Sequence, residues 1–127
     1  LDDSLVLSFF ADKFFLADGD EFNPRGRQVV FEVASLLAQL DNNIVVTGHV
    51  NPAYSEQVSG LGHIAFSLSR ASAVGDALVK AGFNRPFQIL GYGYSRFPDI
   101  DQSISLSRRY QLANRVDVVV MEKGRDE

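Results

Sequence analysis

The sequence has no cysteine among its 127 residues, which excludes disulfide bonds, thiolate metal sites and a cysteine nucleophile. No apolar run approaches the ~20 residues that a membrane-spanning helix needs, and no signal-peptide pattern is visible. Positive charge is also scarce, since 12 Lys and Arg residues stand against 16 Asp and Glu residues. The net charge of −4 and the lack of a basic stripe predict that nucleic acid is not a partner.

The amino-acid composition is typical of one ordinary globular domain. Hydrophobic residues make up 46% of the chain and charged residues 22%, both typical of a folded domain with a sizeable core. We therefore predict a single domain over residues 1–127. Because the chain begins at Leu1 and not at Met, we expect a fragment of a longer protein whose anchor or export signal lies upstream.

Four short segments rich in β-branched and aromatic residues predict β-strands. They are Leu5–Phe10, Ile44–Thr47, Pro86–Leu90 and Arg115–Val120. The apolar residues of the second segment do not alternate with polar ones, which predicts burial on both faces or a central place in a sheet. A polar loop follows it and continues to Gly62.

Two segments with apolar residues at three- and four-residue spacing predict long amphipathic helices. The first begins at Asn23-Pro24, where Asn suits the N-cap and Pro the first helical position. Its predicted buried stripe consists of Val29, Val33, Leu36, Leu37 and Leu40. The second helix runs from His63 to Ala81, and its predicted buried stripe consists of Ile64, Leu68, Ala71, Gly75 and Leu78.

The order of these elements predicts an α+β fold. It reads β-α-β-α-β-β, with a long and partly helical loop from Ser95 to Leu112 before the last strand. Helices that alternate with strands favour a sandwich in which a mixed four-stranded sheet carries both long helices on one face.

The sequence offers little for catalysis. It contains two histidines, His49 and His63, without a third metal ligand at a useful spacing, and it has no G-x-S-x-G elbow. A His49 that hydrogen-bonds at the end of its strand is the better interpretation. The acidic cluster from Asp18 to Glu21 lacks the spacing of a calcium loop and is interpreted as a solvated loop. We expect no enzyme activity, no cofactor and no metal.

A binding site is the better interpretation of Asn51, His63, Ser67 and Arg70. The guanidinium of Arg70 suits a carboxylate, and the N-terminus of its helix favours negative charge. Asn51 can take a polar or amino group beside it, so the pocket would suit a small zwitterion or a peptide carboxylate. The alternative is that Arg70 pairs with an acid of the same domain, such as Asp18 or Asp117. The residue types leave both readings open.

Several short motifs occur in a characteristic order along the chain. They are Phe22–Gly26, Gly48-His49, Phe66-Ser67, Arg70-Ala71, Val74, Leu78, Gly82, Gly91-Tyr92-Gly93, Pro98 and Asn114-Arg115-Val116. In this order they resemble the OmpA-like C-terminal domain family, a peptidoglycan-binding module. That family has a strand ending in G-H-T-D, a helix with N-x-x-L-S-x-x-R-A, a later G-x-G and a last strand opening N-R-R-V. The resemblance covers nearly the whole chain.

The loop from Asn51 to Phe66 resembles that of MotB-type proteins, the stator subunits that grip the cell wall. The resemblance implies the periplasmic domain of a bacterial envelope protein, anchored in the inner membrane, in a motor or secretion complex. It also implies a homodimer, and partner subunits that are reached through the missing N-terminal part.

In the family, the Asp of G-H-T-D and the Arg of R-A clamp the diaminopimelate end of the peptidoglycan stem peptide. Arg70 keeps its place, but Asn51 stands for that Asp, Val50 for the Thr and His63 for the helix-entering Asn. The loss of a charge-assisted partner costs about 1.5–3 kcal/mol. The residues that we predict to bind peptidoglycan are Asp18, Val50, Asn51, His63, Phe66, Ser67, Arg70 and Arg115.

Two functions follow from these matches and departures. Arg70 and Ser67 favour a peptidoglycan-binding anchor. The replacements at Val50, Asn51 and His63 favour a domain with a degenerate pocket that serves protein–protein assembly or dimerisation.

Overall fold

Four strands form one mixed sheet in the computed structural model, which describes residues 5–17, 19–53 and 62–122. Strands β1 (Leu5–Phe10), β2 (Ile44–His49), β3 (Gln88–Gly91) and β4 (Arg115–Val120) lie in the order β1-β4-β2-β3. Strand β4 pairs antiparallel with β1 and β2, whereas β2 and β3 are parallel. The predicted α+β fold with a mixed four-stranded sheet is therefore confirmed. The central place predicted for β2 is confirmed as well, and only Val45 in it is not fully buried.

The helices are α1 (Ala11–Phe14), α2 (Pro24–Ala38), α3 (His63–Lys80) and α4 (Leu106–Ala113). Helix α4 and a 3₁₀ turn at Phe97–Asp99 lie in the loop that was expected to be partly helical. Most of the polar loop predicted after β2 lies outside the described residues. No helix in the described ranges is long and apolar enough to span a membrane.

Helix α2 begins as the sequence predicts. The Asn23 side chain caps it by accepting a hydrogen bond of 2.7 Å from the Gly26 backbone, and Pro24 is the first helical residue. Two small residues, Gly26 and Ala34, lie on the side of α2 that faces the core. A Cβ at Gly26 would lie 2.1 Å from the carbonyl oxygen of Phe14, so only glycine fits this close contact.

The predicted buried stripe of α2 is wrong in part. The structure buries Gly26, Val30, Ala34 and Leu37 instead, with Val29 and Val33 partly buried beside them. Leu36 is 65% exposed and Leu40 is 46% exposed. A stripe chosen by hydrophobicity passes over Gly26 and Ala34, whose small size is what brings this side of the helix close to its neighbours.

The predicted stripe of α3 is also displaced. Ala71, Gly75 and Leu78 are buried as predicted, together with Phe66, Ser67, Arg70 and Val74. Ile64 is 63% exposed and Leu68 is 40% exposed. The reason is the close contact of α3 with the sheet, where a Cβ at Gly48 would lie 1.9 Å from the Ser67 carbonyl oxygen. Small residues at this contact orient the helix, and the larger side chains are directed outwards.

The core lies between the sheet and the two long helices. Strands β2 and β4 contribute Val46, Val116 and Val118, and α3 contributes Val74 and Leu78, all of them fully buried. Residues of α2, β1 and the segment after α3 belong to the same cluster. Both long helices therefore cover one face of the sheet, as predicted.

Replacement of Gly48 by Ala tests the contact between β2 and α3. The added methyl group would overlap the Ser67 carbonyl oxygen, which is helix backbone and cannot rotate away. We expect the free energy of unfolding to fall by about 2–3 kcal/mol, measured by urea denaturation. Gly19→Ala is the matched control, because its Cβ would meet nothing closer than 3.8 Å. A Gly48→Ala protein as stable as the control would contradict this account.

Candidate functional site

Arg70 is the best-supported candidate residue, and the structure buries it. Its side chain is 5% exposed, and its guanidinium carbon lies 4.5 Å from the ring centre of Phe66 and 5.2 Å from that of Phe15. Its Nε donates a hydrogen bond of 2.8 Å to the carbonyl oxygen of Gly19. Two aromatic rings and a backbone carbonyl therefore fix the guanidinium in one position.

The structure excludes one of the two acidic residues that were considered as partners of Arg70. Asp117 is paired with Thr47 across the sheet, on the face opposite the helices, where it accepts hydrogen bonds from Ser8 and Arg115. The alternative that Arg70 pairs with Asp117 is therefore wrong. Asp18, the other acid considered, lies outside the described residues.

Asn51 is held by backbone partners. Its Oδ1 accepts a hydrogen bond of 2.8 Å from the amide of Ala53, and its Nδ2 donates to the carbonyl oxygen of Tyr110 at 3.4 Å. Its own amide donates to the side chain of Asn114 at 2.9 Å. Asn51 thus ties the loop after β2 to helix α4 and the start of β4.

Ser67 and Val50 both hold the turn at Gly93. The hydroxyl of Ser67 donates to the carbonyl oxygen of Ile64 and accepts a hydrogen bond of 2.9 Å from the Gly93 amide. The amide of Val50 donates to the carbonyl oxygen of Gly93 at 2.9 Å. Both residues are fully buried, and their hydrogen bonds hold the Gly93 turn in place.

His63 lies in a cleft at the start of α3. Its ring meets the ring of Tyr94 edge to face, with 4.7 Å between the ring centres. The cleft has a volume of about 410 Å³ and is lined by Gly62, His63, Ile64, Ala65, Tyr92, Tyr94 and Ser95. Neither Arg70 nor Asn51 lines this cleft.

Arg115 belongs to a polar cluster on the face of the sheet opposite the two long helices. Its Nε donates to both carboxylate oxygens of Asp117, at 3.0 and 3.2 Å. Asp117 also accepts a hydrogen bond of 2.7 Å from Ser8, and a hydrogen bond of 3.0 Å joins Thr47 and His49. The cluster links β1, β4 and β2, and the role predicted for His49 at the strand end agrees with it.

The environment of His49 keeps its ring neutral. Burial, together with the positive charges of Arg115 and Arg96, lowers the pKa of His49 from 6.5 to about 4, and Asp117 opposes this shift. Its Nδ1 is buried and finds no hydrogen-bond partner in the part of the chain that the structure describes. A proton on that nitrogen would be an unsatisfied donor, which also favours the neutral ring.

The predicted site residues therefore lie in several places. Arg70 contacts the Phe66 ring and the Gly19 carbonyl oxygen. Val50 and Ser67 both form hydrogen bonds with Gly93. Sequence reasoning missed Phe15 and Gly19, which contact Arg70. It also missed the hydrogen bond from Ser69 to Asp20, because the acidic segment was interpreted as a solvated loop. A backbone carbonyl that accepts from an arginine leaves no signal in a sequence.

Comparison with known proteins gives the class to which this fold and arrangement belong. Residues 14–111 match the OmpA family. The chain belongs to the OmpA family, and this confirms the resemblance found in the sequence. No curated protein matches the chain by sequence.

Solved structures share the fold over nearly the whole chain. The periplasmic domain of Helicobacter pylori MotB (residues 78–256) is 22% identical, with a TM-score of 0.80 over 99% of this chain and 81% of that one. A putative MotB like protein from Desulfovibrio vulgaris is 16% identical, with a TM-score of 0.82 over 97% and 78%. The cell wall anchor of the T6SS from Pseudomonas aeruginosa is 19% identical, with a TM-score of 0.76 over 94% and 82%. The chain thus has the fold of the MotB-type branch.

The lowered pKa of His49 predicts a loss of stability in mild acid. Between pH 6.5 and about 4 the unfolded chain binds a proton at His49 that the folded chain excludes, so stability falls as the pH falls through this range. At about 1.4 kcal/mol per unit, the loss approaches 3 kcal/mol. His49→Gln removes this term. We expect the stability difference between wild type and variant, measured by urea denaturation, to shrink by 2–3 kcal/mol from pH 7 to pH 4.

The carboxylates that do not interact with His49 are the same in both proteins, so their titration cancels in this difference. His63→Gln serves as the control for the loss of an imidazole outside the cluster. A difference between wild type and His49→Gln that stays constant over the pH range would show that His49 is not held neutral by the fold.

Proposed function

We propose that this domain binds peptidoglycan without catalysis, through the diaminopimelate of the stem peptide, and anchors a membrane complex to the cell wall. The observation that carries the proposal is Arg70. It stands at the α3 position of the family's arginine, and the rings of Phe15 and Phe66 both lie close to its guanidinium. A fixed guanidinium suits a carboxylate, because little conformational freedom is lost on binding.

The cellular context is proposed from the structural neighbours. Among them are the periplasmic domain of a MotB protein and the cell wall anchor of a T6SS. We infer a periplasmic domain of an envelope protein that is anchored in the inner membrane and belongs to a motor or secretion complex. In this proposal the domain acts as a homodimer, and its partner subunits bind elsewhere in the longer protein.

In this proposal Asn51, the second residue that would contact the ligand, binds it only weakly. Asn51 offers no charge, and its amide oxygen already accepts from Ala53. An ammonium group would gain only a neutral acceptor there. We therefore expect an affinity for peptidoglycan that is at least about tenfold below that of a site with a carboxylate at this position.

An alternative function is protein–protein assembly, for example dimerisation. The observation that favours it is an apolar surface beside the edge strand β3. Ile64 and Leu68 are exposed on α3, and Gly91 of β3 lies against both of them. An edge strand with exposed apolar neighbours is a surface on which another chain can add a strand.

Arg70→Lys tests the principal proposal. Lysine keeps the positive charge but lacks the planar fork, so we expect the fraction of protein that co-sediments with purified cell-wall sacculi to fall tenfold or more. Circular dichroism melting checks that the variant is folded, since Arg70 is buried. Arg108→Lys, an exposed arginine on α4, is the matched control.

The outcomes separate the two functions. If the wild-type domain stays in the supernatant at every concentration, the anchor function is rejected. If it then sediments as a dimer in analytical ultracentrifugation, and Ile64→Asp disrupts that dimer, the assembly function is supported instead.

Asn51→Asp tests whether Asn51 contacts the ligand and whether its lack of charge weakens the binding. The new carboxylate can still accept from the Ala53 amide, and it restores a charged partner for an ammonium group. We expect sacculus binding to rise by tenfold or more. Asn84→Asp, which adds the same charge at an exposed position, controls for net charge. Equal binding by both variants would show that Asn51 does not face the ligand.

A further inference from the structure

A groove with a volume of about 610 Å³ lies between the two long helices. Its floor is apolar and is formed by Val30 of α2 and by Ala73 and Ala77 of α3, all of which belong to the core or pack against it. The described residues that line the groove include no residue of the sheet, and they include neither Arg70 nor Asn51. The groove is therefore separate from the proposed ligand site and from the apolar surface beside β3.

An exposed aromatic side chain lies at the side of this groove. Phe31 of α2 lines the groove, yet its side chain is 59% exposed, whereas the preceding Val30 is 2% exposed. A large aromatic side chain that projects beside an apolar groove is typical of the centre of a protein–protein contact. This surface therefore offers both an aromatic side chain and an apolar groove that could receive one.

The two ends of the groove are well separated along α3. Asp20 and Glu21 line one end, where the Asp20 carboxylate accepts a hydrogen bond from the hydroxyl of Ser69. Lys80, the last residue of α3, lines the other end. Because a helix rises about 1.5 Å per residue, Ser69 and Lys80 are about 16 Å apart along the helix axis. Acidic and basic side chains therefore lie at opposite ends of the groove.

Each end also has a side chain of the opposite sign. Arg27 lies close to Glu21, since its guanidinium donates a hydrogen bond of 3.1 Å to the carbonyl oxygen of Phe22. Asp76 lies one turn before Lys80 on α3. These four charged side chains are exposed, and none of the four forms a salt bridge within the part of the chain that the structure describes.

The charges are arranged so that the surface is complementary to itself. A two-fold rotation about an axis through the middle of the groove exchanges its two ends. Glu21 of one copy then meets Lys80 of the other, and Arg27 meets Asp76. A two-fold interface joins the same surface of both copies and so requires this kind of self-complementarity. Each pair occurs twice, which gives four attractive pairs around an apolar centre.

We propose that the groove is the contact surface of a homodimer, in which Phe31 of each copy enters the groove of the other and the four charged side chains pair across the two-fold axis. Removal of both Phe31 rings from water stabilises this dimer. The charged pairs fix its register. The proposal rests on the proposed function only for the existence of a homodimer, and it places no contact at Arg70 or Asn51.

Phe31→Ser tests the apolar contact. Sedimentation equilibrium of the 127-residue domain over a series of concentrations gives the Kd of the dimer. Because each dimer contains two such rings, we expect the Kd to rise about tenfold or more. Leu36→Ser is the matched control, since Leu36 lies on the same helix, is 65% exposed and does not line the groove. The control should dimerise like wild type, and thermal melting shows whether each variant is folded.

The same measurement on charge variants tests the register. Lys80→Glu places two acids opposite each other at both ends of the interface, and the Kd should rise about tenfold or more. Glu21→Lys added to Lys80→Glu exchanges the signs and should restore most of the affinity. Lys13→Glu is the control for net charge, because Lys13 is exposed and lies outside the groove.

The outcomes separate this interface from the proposed function. A wild-type domain that stays monomeric overturns the interface, and the anchor function still stands if that monomer co-sediments with sacculi. A dimer that Ile64→Asp disrupts, but that Phe31→Ser and Lys80→Glu leave intact, also overturns it, as does failure of the double variant to recover. If the variants behave as expected and no protein binds sacculi, the interface is supported and peptidoglycan is rejected as the ligand.

Discussion

The close contact between α3 and the sheet is the constraint on which the rest of this structure depends. Gly48 lets the backbone of α3 approach β2 so closely that a single methyl group would collide with the Ser67 carbonyl oxygen. Because the helix lies so close to the sheet, the hydroxyl of Ser67 reaches the Gly93 amide, and Arg70 Nε donates to the Gly19 carbonyl oxygen. The Ser67–Gly93 hydrogen bond and the position of Arg70 therefore both depend on the contact between Gly48 and α3.

Burial has a consequence for the polar residues of this domain. A polar group that is removed from water needs a partner within the protein. Arg70, Asn51 and Asp117 each find such partners in backbone or side-chain groups of the domain itself. For Arg70, the carbonyl oxygen of Gly19 is such a partner.

The strands and the helix starts followed from local chemistry. Leu5–Phe10 and Arg115–Val120 were predicted to the residue, because β-branched and aromatic runs favour strands in any context. Asn23 and Pro24 marked the start of α2 for a reason that is equally local. The buried faces of the helices were predicted less well, because hydrophobicity selects Leu36 and Ile64, whereas contact distance selects Gly26 and Ser67.

The sequence by itself determined the order of the elements, the class of fold and the family, since each depends on patterns that are local or that recur in a fixed order. It also identified Arg70 as the residue of interest. Only the tertiary structure decided what Arg70 contacts. Its partners Phe15 and Gly19 are distant in the chain, and one of them acts through its backbone carbonyl, which every residue type possesses.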